Sequence, residues 1–174
     1  AEYLPALQAF RVPAGGVAGY ARSNVQPTLH TPSFNAGALI CFESVFTHHI
    51  RAYVSPTLTS RPVDFLVTVA QDGWWGPSRG YPQHMAFSQL QAIASRRAMA
   101  FVTVTGQTGL IDPQGQLSTA TAWMERTVRR VTIPHASALS PYVRYGDWLT
   151  PIAMLLTAGL AIAGMASYTQ RRLQ

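Results

Sequence analysis

The chain has 174 residues, 48% of them hydrophobic, which is enough for one domain with a real core plus one further element and too little for a large multidomain protein. Its net charge of +6 comes from 13 cations against 7 Asp and Glu, and every cation is arginine, scattered except for Arg96-Arg97, Arg129-Arg130 and Arg171-Arg172. With no basic stripe interleaved with aromatics, the charge argues against a nucleic-acid partner, and a single cysteine, Cys41, excludes an internal disulfide.

The first residues, Ala1 to Pro5, carry no initiator Met, no basic region and no apolar core of a signal peptide, so the chain reads as a fragment of a longer protein. Residues 1–35 are rich in Pro, Gly, Ala and Asn and are expected to be extended or looped. Ala36 to Phe42 is a short apolar run suited to a buried strand, with Cys41 at its end. Glu43 to Val54 has a loose helical period that stops before Ser55-Pro56. Val63 to Ala70 is β-branched and apolar on both phases, which predicts a strand buried on both faces of a layered α/β domain.

The loop Gln71 to Pro82 holds too much Gly and Pro for regular structure and sets Trp74 beside Trp75. A helix is expected from Pro82 to about Ala98, then a strand over Ala100 to Thr105, then a hairpin over Thr108 to Leu117 turning at Asp112-Pro113-Gln114-Gly115. Arg126 to Ile133 is another β-rich run. From Leu149 to Ala166 no charged residue occurs; Trp148 precedes the segment and Tyr168 follows it. About twenty residues at 1.5 Å each cross a hydrocarbon core, so one transmembrane helix is expected over 147–170. Arg171-Arg172 past it puts the tail 171–174 on the cytoplasmic side and the globular part outside.

Cys41 admits two readings. Free cysteine is among the most buried residue types. A thiol at a strand end can also leave the sheet for a cleft, where a nearby cation, base or N–H group makes it a nucleophile and a carboxylate two residues on, Glu43, can orient such partners.

Four blocks carry a resemblance: Ile40 to Phe46, Val67 to Gly76 with its paired tryptophans, Gln83-His84 within a helix, and Thr108 to Gly115. In this order they resemble the second half of the apolipoprotein N-acyltransferases, membrane-anchored members of the nitrilase or carbon-nitrogen hydrolase superfamily. Leu139 to Trp148 resembles that family's lead into its last transmembrane helix, so the likeness runs from Glu2-Tyr3 to the terminal arginines. It implies an α/β chain with a partial nitrilase-like αββα sandwich over 1–146 and a C-terminal transmembrane helix. The implied home is the bacterial inner membrane, with the globular part periplasmic.

The resemblance implies acyl transfer: Cys41 attacks a phospholipid ester to form a thioester, and the acyl chain passes to the amine of a diacylglyceryl-modified apolipoprotein. Glu43 and Glu2 match supporting glutamates. Phe42, which stands where the commoner pattern has Tyr, and Trp74 and Trp75 match the substrate-binding mouth. Gln71 stands where Asn is usual. The family's base Glu and oxyanion Lys match nothing here, since the chain has no Lys, so the isolated chain is expected to be inactive.

His84 is read as a hydrogen-bonded structural histidine. His48-His49 lacks partners at ligand spacing, so no metal is expected, and no cofactor. The full-length form is expected to be monomeric. Two other readings remain open: a C–N hydrolase of the amidase or nitrilase kind using the same cysteine, and an inactive membrane-anchored domain that binds lipid or lipoprotein. Half of a sandwich should leave an apolar face exposed and aggregate in water.

Overall fold

The computed structural model describes residues 26–172. Six strands form one mixed sheet in sequential order: β1 (Thr28–His30), β2 (Asn35–Ile40), β3 (Phe65–Ala70), β4 (Ala98–Thr103), β5 (Gly109–Ile111) and β6 (Leu117–Ser118). The central three, β2, β3 and β4, run parallel; the others pair antiparallel outside them. Parallel neighbours need a crossover. The first is α1 (Thr47–Val54) and the second α2 (Gly80–Ser95); α3 (Pro141–Tyr145) and α4 (Leu149–Arg172) follow the sheet.

Strand periodicity sorts the side chains. Gly37 and Leu39 of β2, Leu66 and Thr68 of β3, and Met99 and Phe101 of β4 lie in register on one face. That face meets Ile50, Tyr53 and Val54 of α1 and Met85 and Ala92 of α2 in a single core cluster. Gly37 is required there, because a Cβ would stand 2.7 Å from Cδ1 of Tyr53. Tyr53 lies flat in that space and donates its hydroxyl to the carbonyl of Ala38 at 2.7 Å.

On the opposite face Ile40, Val69, Val102 and Val104 are exposed. The expectation that β3 is buried on both faces therefore fails among the described residues: one helix layer covers one side of the sheet. What stands among the described residues is one sheet under one helix layer, mixed α/β as expected.

Boundaries follow local chemistry. The expected helix from Glu43 splits into a 3-10 turn, Cys41–Val45, and α1, because Phe46 between them is extended. α2 begins two residues before Pro82 and closes on Arg96 in the left-handed region, so β4 starts earlier than expected, at Ala98. The hairpin forms at Asp112, whose carboxylate accepts the N–H of Gln114 and of Gln116, both at 2.9 Å, with Gly115 at φ 82°. Arg126 to Ile133 is not a strand. A β-rich run pairs only where a neighbour offers a ladder, and Val128 here is 97% exposed.

The lead-in to α4 is tied to the core. Arg97, buried, donates to the carbonyls of Val63 at 2.8 Å and Ala138 at 3.0 Å. Burial lowers its guanidinium pKa, and the charge of Asp64 opposes that. Ser140 caps α3 through the N–H of Val143 at 3.0 Å, and Arg51 of α1 donates to the carbonyls of Tyr142 and Val143. The helix expected at the C-terminal end exists, shifted two residues along the chain from the expected 147–170. Yet among the described residues no helix is long and apolar enough to cross a membrane, so the crossing expected over 147–170 is not carried by the fold. What the fold has is a helix whose side chains are exposed from Leu149 to Met165, with Thr150, Pro151, Thr157, Gly159 and Gly164 among its larger apolar residues.

Candidate active site

Parallel strands place their C-terminal ends along one edge of a sheet, and two loops from that edge make the site. The first follows β2. Cys41 turns the chain out of the strand at φ 52°, a left-handed conformation that costs a non-glycine residue about 1 kcal/mol. The turn is closed by its own side chains: the carboxylate of Glu43 accepts the N–H of Ile40 at 2.7 Å, and the hydroxyl of Ser44 donates to the Cys41 carbonyl at 3.1 Å. The Cys41 thiol is free and half-buried.

The second loop follows β3. Asp72 is fully buried at its start, and Gly73–Trp75 makes one 3-10 turn. Gln71 accepts the hydroxyl of Thr105 at 2.7 Å and the N–H of Gly73 at 3.2 Å, binding this loop to the exit of β4. Trp74 and Trp75 are stacked with ring centroids 5.6 Å apart; Trp74 is exposed, and Trp75 is pressed against Gly80 at the start of α2.

The first turns of α2 bring His84 between the two loops. Its Nδ1 lies 3.0 Å from Oδ1 of Asp72, and its Nε2 lies 3.0 Å from Oγ of Ser44 and 3.2 Å from the Cys41 carbonyl oxygen. Ser88, one turn along, donates to Ser44 at 3.2 Å. All four side chains are buried. Rings enclose the imidazole: Phe101 at 5.1 Å, Trp75 at 5.5 Å and Phe42 at 6.0 Å between centroids. Phe42 is itself half-exposed and meets Phe46 edge-on at 5.9 Å. Below the turn, burial and then the charge of Glu43 raise the pKa of Tyr53 well above the ordinary tyrosine value.

Five residues singled out by sequence, Cys41, Phe42, Glu43, Trp74 and Trp75, thus come to one edge of the sheet, with Phe42 and Trp75 sharing His84 as a neighbour. Glu2 lies outside the described residues. Sequence reasoning placed His84 correctly as a hydrogen-bonded buried histidine and missed its partners. Asp72 lay unremarked within the loop Gln71 to Pro82, and nothing in the sequence pairs residues 12 and 40 positions from His84. A cavity of about 340 Å³ lies away from this edge, between Ala100, Val102 and Val104 on the open sheet face and the segment Glu125 to Val131.

Residues 6–140 match the carbon-nitrogen hydrolase family. The chain is similar to the apolipoprotein N-acyltransferase of Chlorobaculum tepidum, at 29% identity over 166 residues, covering 92% of this chain and 30% of that protein. It is 32% identical over 148 residues to that of Vibrio cholerae, covering 85% of this chain and 27% of the relative. The chain therefore spans less than a third of the length of these relatives. Among solved structures, a CN-hydrolase superfamily protein of Xanthomonas campestris superposes with a TM-score of 0.50 at 18% identity, over 61% of this chain and 43% of that one.

Proposed function

Because the chain belongs to the carbon-nitrogen hydrolase family, we infer that it carries the nucleophile part of an apolipoprotein N-acyltransferase, with Cys41 as the residue that is acylated. The observation that supports this most is the backbone of Cys41: a non-glycine residue held left-handed at a strand end, with a free, half-buried thiol. Strain of that kind persists only where the surroundings over-determine it.

In the first step the Cys41 thiolate attacks the ester carbonyl of a phospholipid. The S–C bond forms, the ester C–O bond breaks, and the lysophospholipid leaves as an alcohol once protonated. In the second, the α-amine of a diacylglyceryl-modified apolipoprotein attacks the thioester; the N–C bond forms, the C–S bond breaks, and the thiol returns. A thioester suits this because it keeps acyl reactivity toward an amine while two large substrates exchange. Glu43 acts by holding the turn through the Ile40 N–H. The exposed rings of Phe42 and Trp74 suit an acyl chain at the mouth. The family's lysine is not among these residues, so the isolated chain is expected to lack turnover. α4 exposes apolar side chains on all sides, which suits lipid or packed helices better than water. In this reading it holds the site at the outer surface of the bacterial inner membrane.

Mass spectrometry of the full-length protein after incubation with phospholipid tests the reading. The parent is expected to gain an acyl-sized, hydroxylamine-labile adduct on Cys41 that the Cys41→Ala variant lacks. An unmodified Cys41 in a preparation that hydrolyses small amides or nitriles would overturn it in favour of a C–N hydrolase.

A further inference from the structure

The peptide between Cys41 and Phe42 is fixed from below by a buried polar network that the acyl-transfer chemistry itself does not use. The Cys41 carbonyl oxygen lies 3.1 Å from Ser44 Oγ and 3.2 Å from His84 Nε2. Were Nε2 bare, its proton would have to come from Ser44. The carbonyl would then lose that donor, and two bare acceptors would face each other at 3.2 Å in a dry site, which is costly. The arrangement that satisfies all of these contacts puts one proton on Nε2, shared between Ser44 Oγ and the Cys41 carbonyl, and a second between Nδ1 and Asp72 Oδ1, with Ser88 donating to Ser44 at 3.2 Å. Asp72, 3.0 Å from Nδ1, fixes the ring in that pose from the other side. Phe42, Trp75 and Phe101 close around it, so these hydrogen bonds work without competing water.

A trans peptide is planar, and its C=O and N–H point in opposite directions. A carbonyl of Cys41 tied down into the network therefore aims the Phe42 N–H the other way, toward the open side of the turn. We propose that His84, oriented by Asp72 and assisted by Ser44, is the positioning residue that locks the Cys41–Phe42 peptide, and so holds in place the backbone N–H beside the nucleophile that the family resemblance implies as an oxyanion donor. This rests on Cys41 being the acylated residue. It accounts for why a strained nucleophile is backed by four buried polar side chains where apolar residues would pack without the desolvation cost.

The test uses the full-length protein in detergent and compares two reactions of the same sulfur. Acylation by phospholipid builds an oxyanion, whereas alkylation by iodoacetamide displaces iodide at a saturated carbon and builds none. His84→Leu, which removes the donor, is expected to lower kcat for acylation about a hundredfold with KM unchanged, the scale of losing one oxyanion donor. Its alkylation rate at Cys41 should stay at the parent value. His84→Gln, whose amide keeps a donor at the Nε2 position, should restore acylation. Ser44→Ala, a milder deletion that carries the test if the leucine variant does not fold, should lower kcat about tenfold in the same pattern. Parent-like acylation in His84→Leu and Ser44→Ala, an equal loss in His84→Gln, or alkylation falling in step with acylation would each overturn the proposal. Cys41→Ala is the separate control: acyl transfer surviving in it would sink the assignment of the nucleophile, whatever the histidine variants do.

Discussion

On one face of the sheet Leu39, Leu66, Met99 and Phe101 are sealed against α1 and α2, while on the other Ile40, Val69, Val102 and Val104 stand open. The same strands supply both faces, and their sequences are apolar on both phases, so the chain is written for two covers and its own helices provide one. The site draws on the sealed face. His84 and Ser44 reach Cys41 from inside the helix layer, whereas Trp74 and Phe42 face outward at the edge. The lesson is that a half-covered sheet can still hold a cysteine in a strained pose, provided the covered half carries the polar contacts that fix it.

The sharpest way to break this comparison uses neighbours in β4. Phe101→Ala empties a fully buried position and is expected to cost about 3–5 kcal/mol in denaturant unfolding. Val102→Ala, one residue on and on the open face, is expected to cost less than about 0.5 kcal/mol in this chain. Similar losses at both positions would mean that the open face is packed in solution. A smaller effect belongs to Gly37, on the sealed face. Gly37→Ala drives a Cβ to 2.7 Å from the Tyr53 ring and 3.0 Å from Leu66 Cδ2, and overpacking of this kind is expected to cost about 1–3 kcal/mol. An unchanged melting temperature would show that Tyr53 has room to move.

Much of this was legible beforehand, for reasons that differ by region. The strands β2, β3 and β4 announced themselves because short β-branched or apolar runs between turn signals have few other outcomes, and the hairpin because Asp112 and Gly115 have turn chemistry of their own. The site was legible in its less buried parts: Cys41, Glu43 and the tryptophans stand in short distinctive blocks. Its buried half was not. Asp72 and Ser44 become partners of His84 only when β2, β3 and α2 are folded together, and local patterning carries no such long-range pairing. The open face was expected of half a sandwich, but the pattern of β3 alone reads as burial on both faces, because burial depends on what covers a strand, which the strand's own residues do not encode.

Tyr53 sharpens the comparison through pH. Its hydroxyl donates to Ala38 and its pKa is raised by burial and by Glu43, so the phenol holds its proton more tightly folded than unfolded. Below the unfolded value of 10.0 that contribution is fully present; as pH climbs above it the unfolded state sheds the proton first and stability falls. Tyr53→Phe is expected to cost about 1 kcal/mol at neutral pH through the lost hydrogen bond. It should also flatten the alkaline decline, read as melting temperature against pH. A decline as steep in the variant as in the parent would place its cause elsewhere.

The smallest expected effect tests the segment that most resembles a cover for the open face. Arg126 to Ile133 has strand composition, and residues Glu125 to Val131 line the cavity over Val102 and Val104. It nevertheless pairs with no strand among the described residues, and Val128 is 97% exposed. The segment's ion pair, Glu125 with Arg129 at 3.1 Å, is a surface contact of the kind that contributes little. If the segment merely passes over the face, Val128→Ser removes no packing and should leave stability within about 0.5 kcal/mol of the parent. If it docks as a strand in solution, the same change places a hydroxyl in an apolar seam. A loss beyond about 1 kcal/mol, together with slowed amide exchange across residues 126–133, would then show that the open face is partly closed by the chain's own residues.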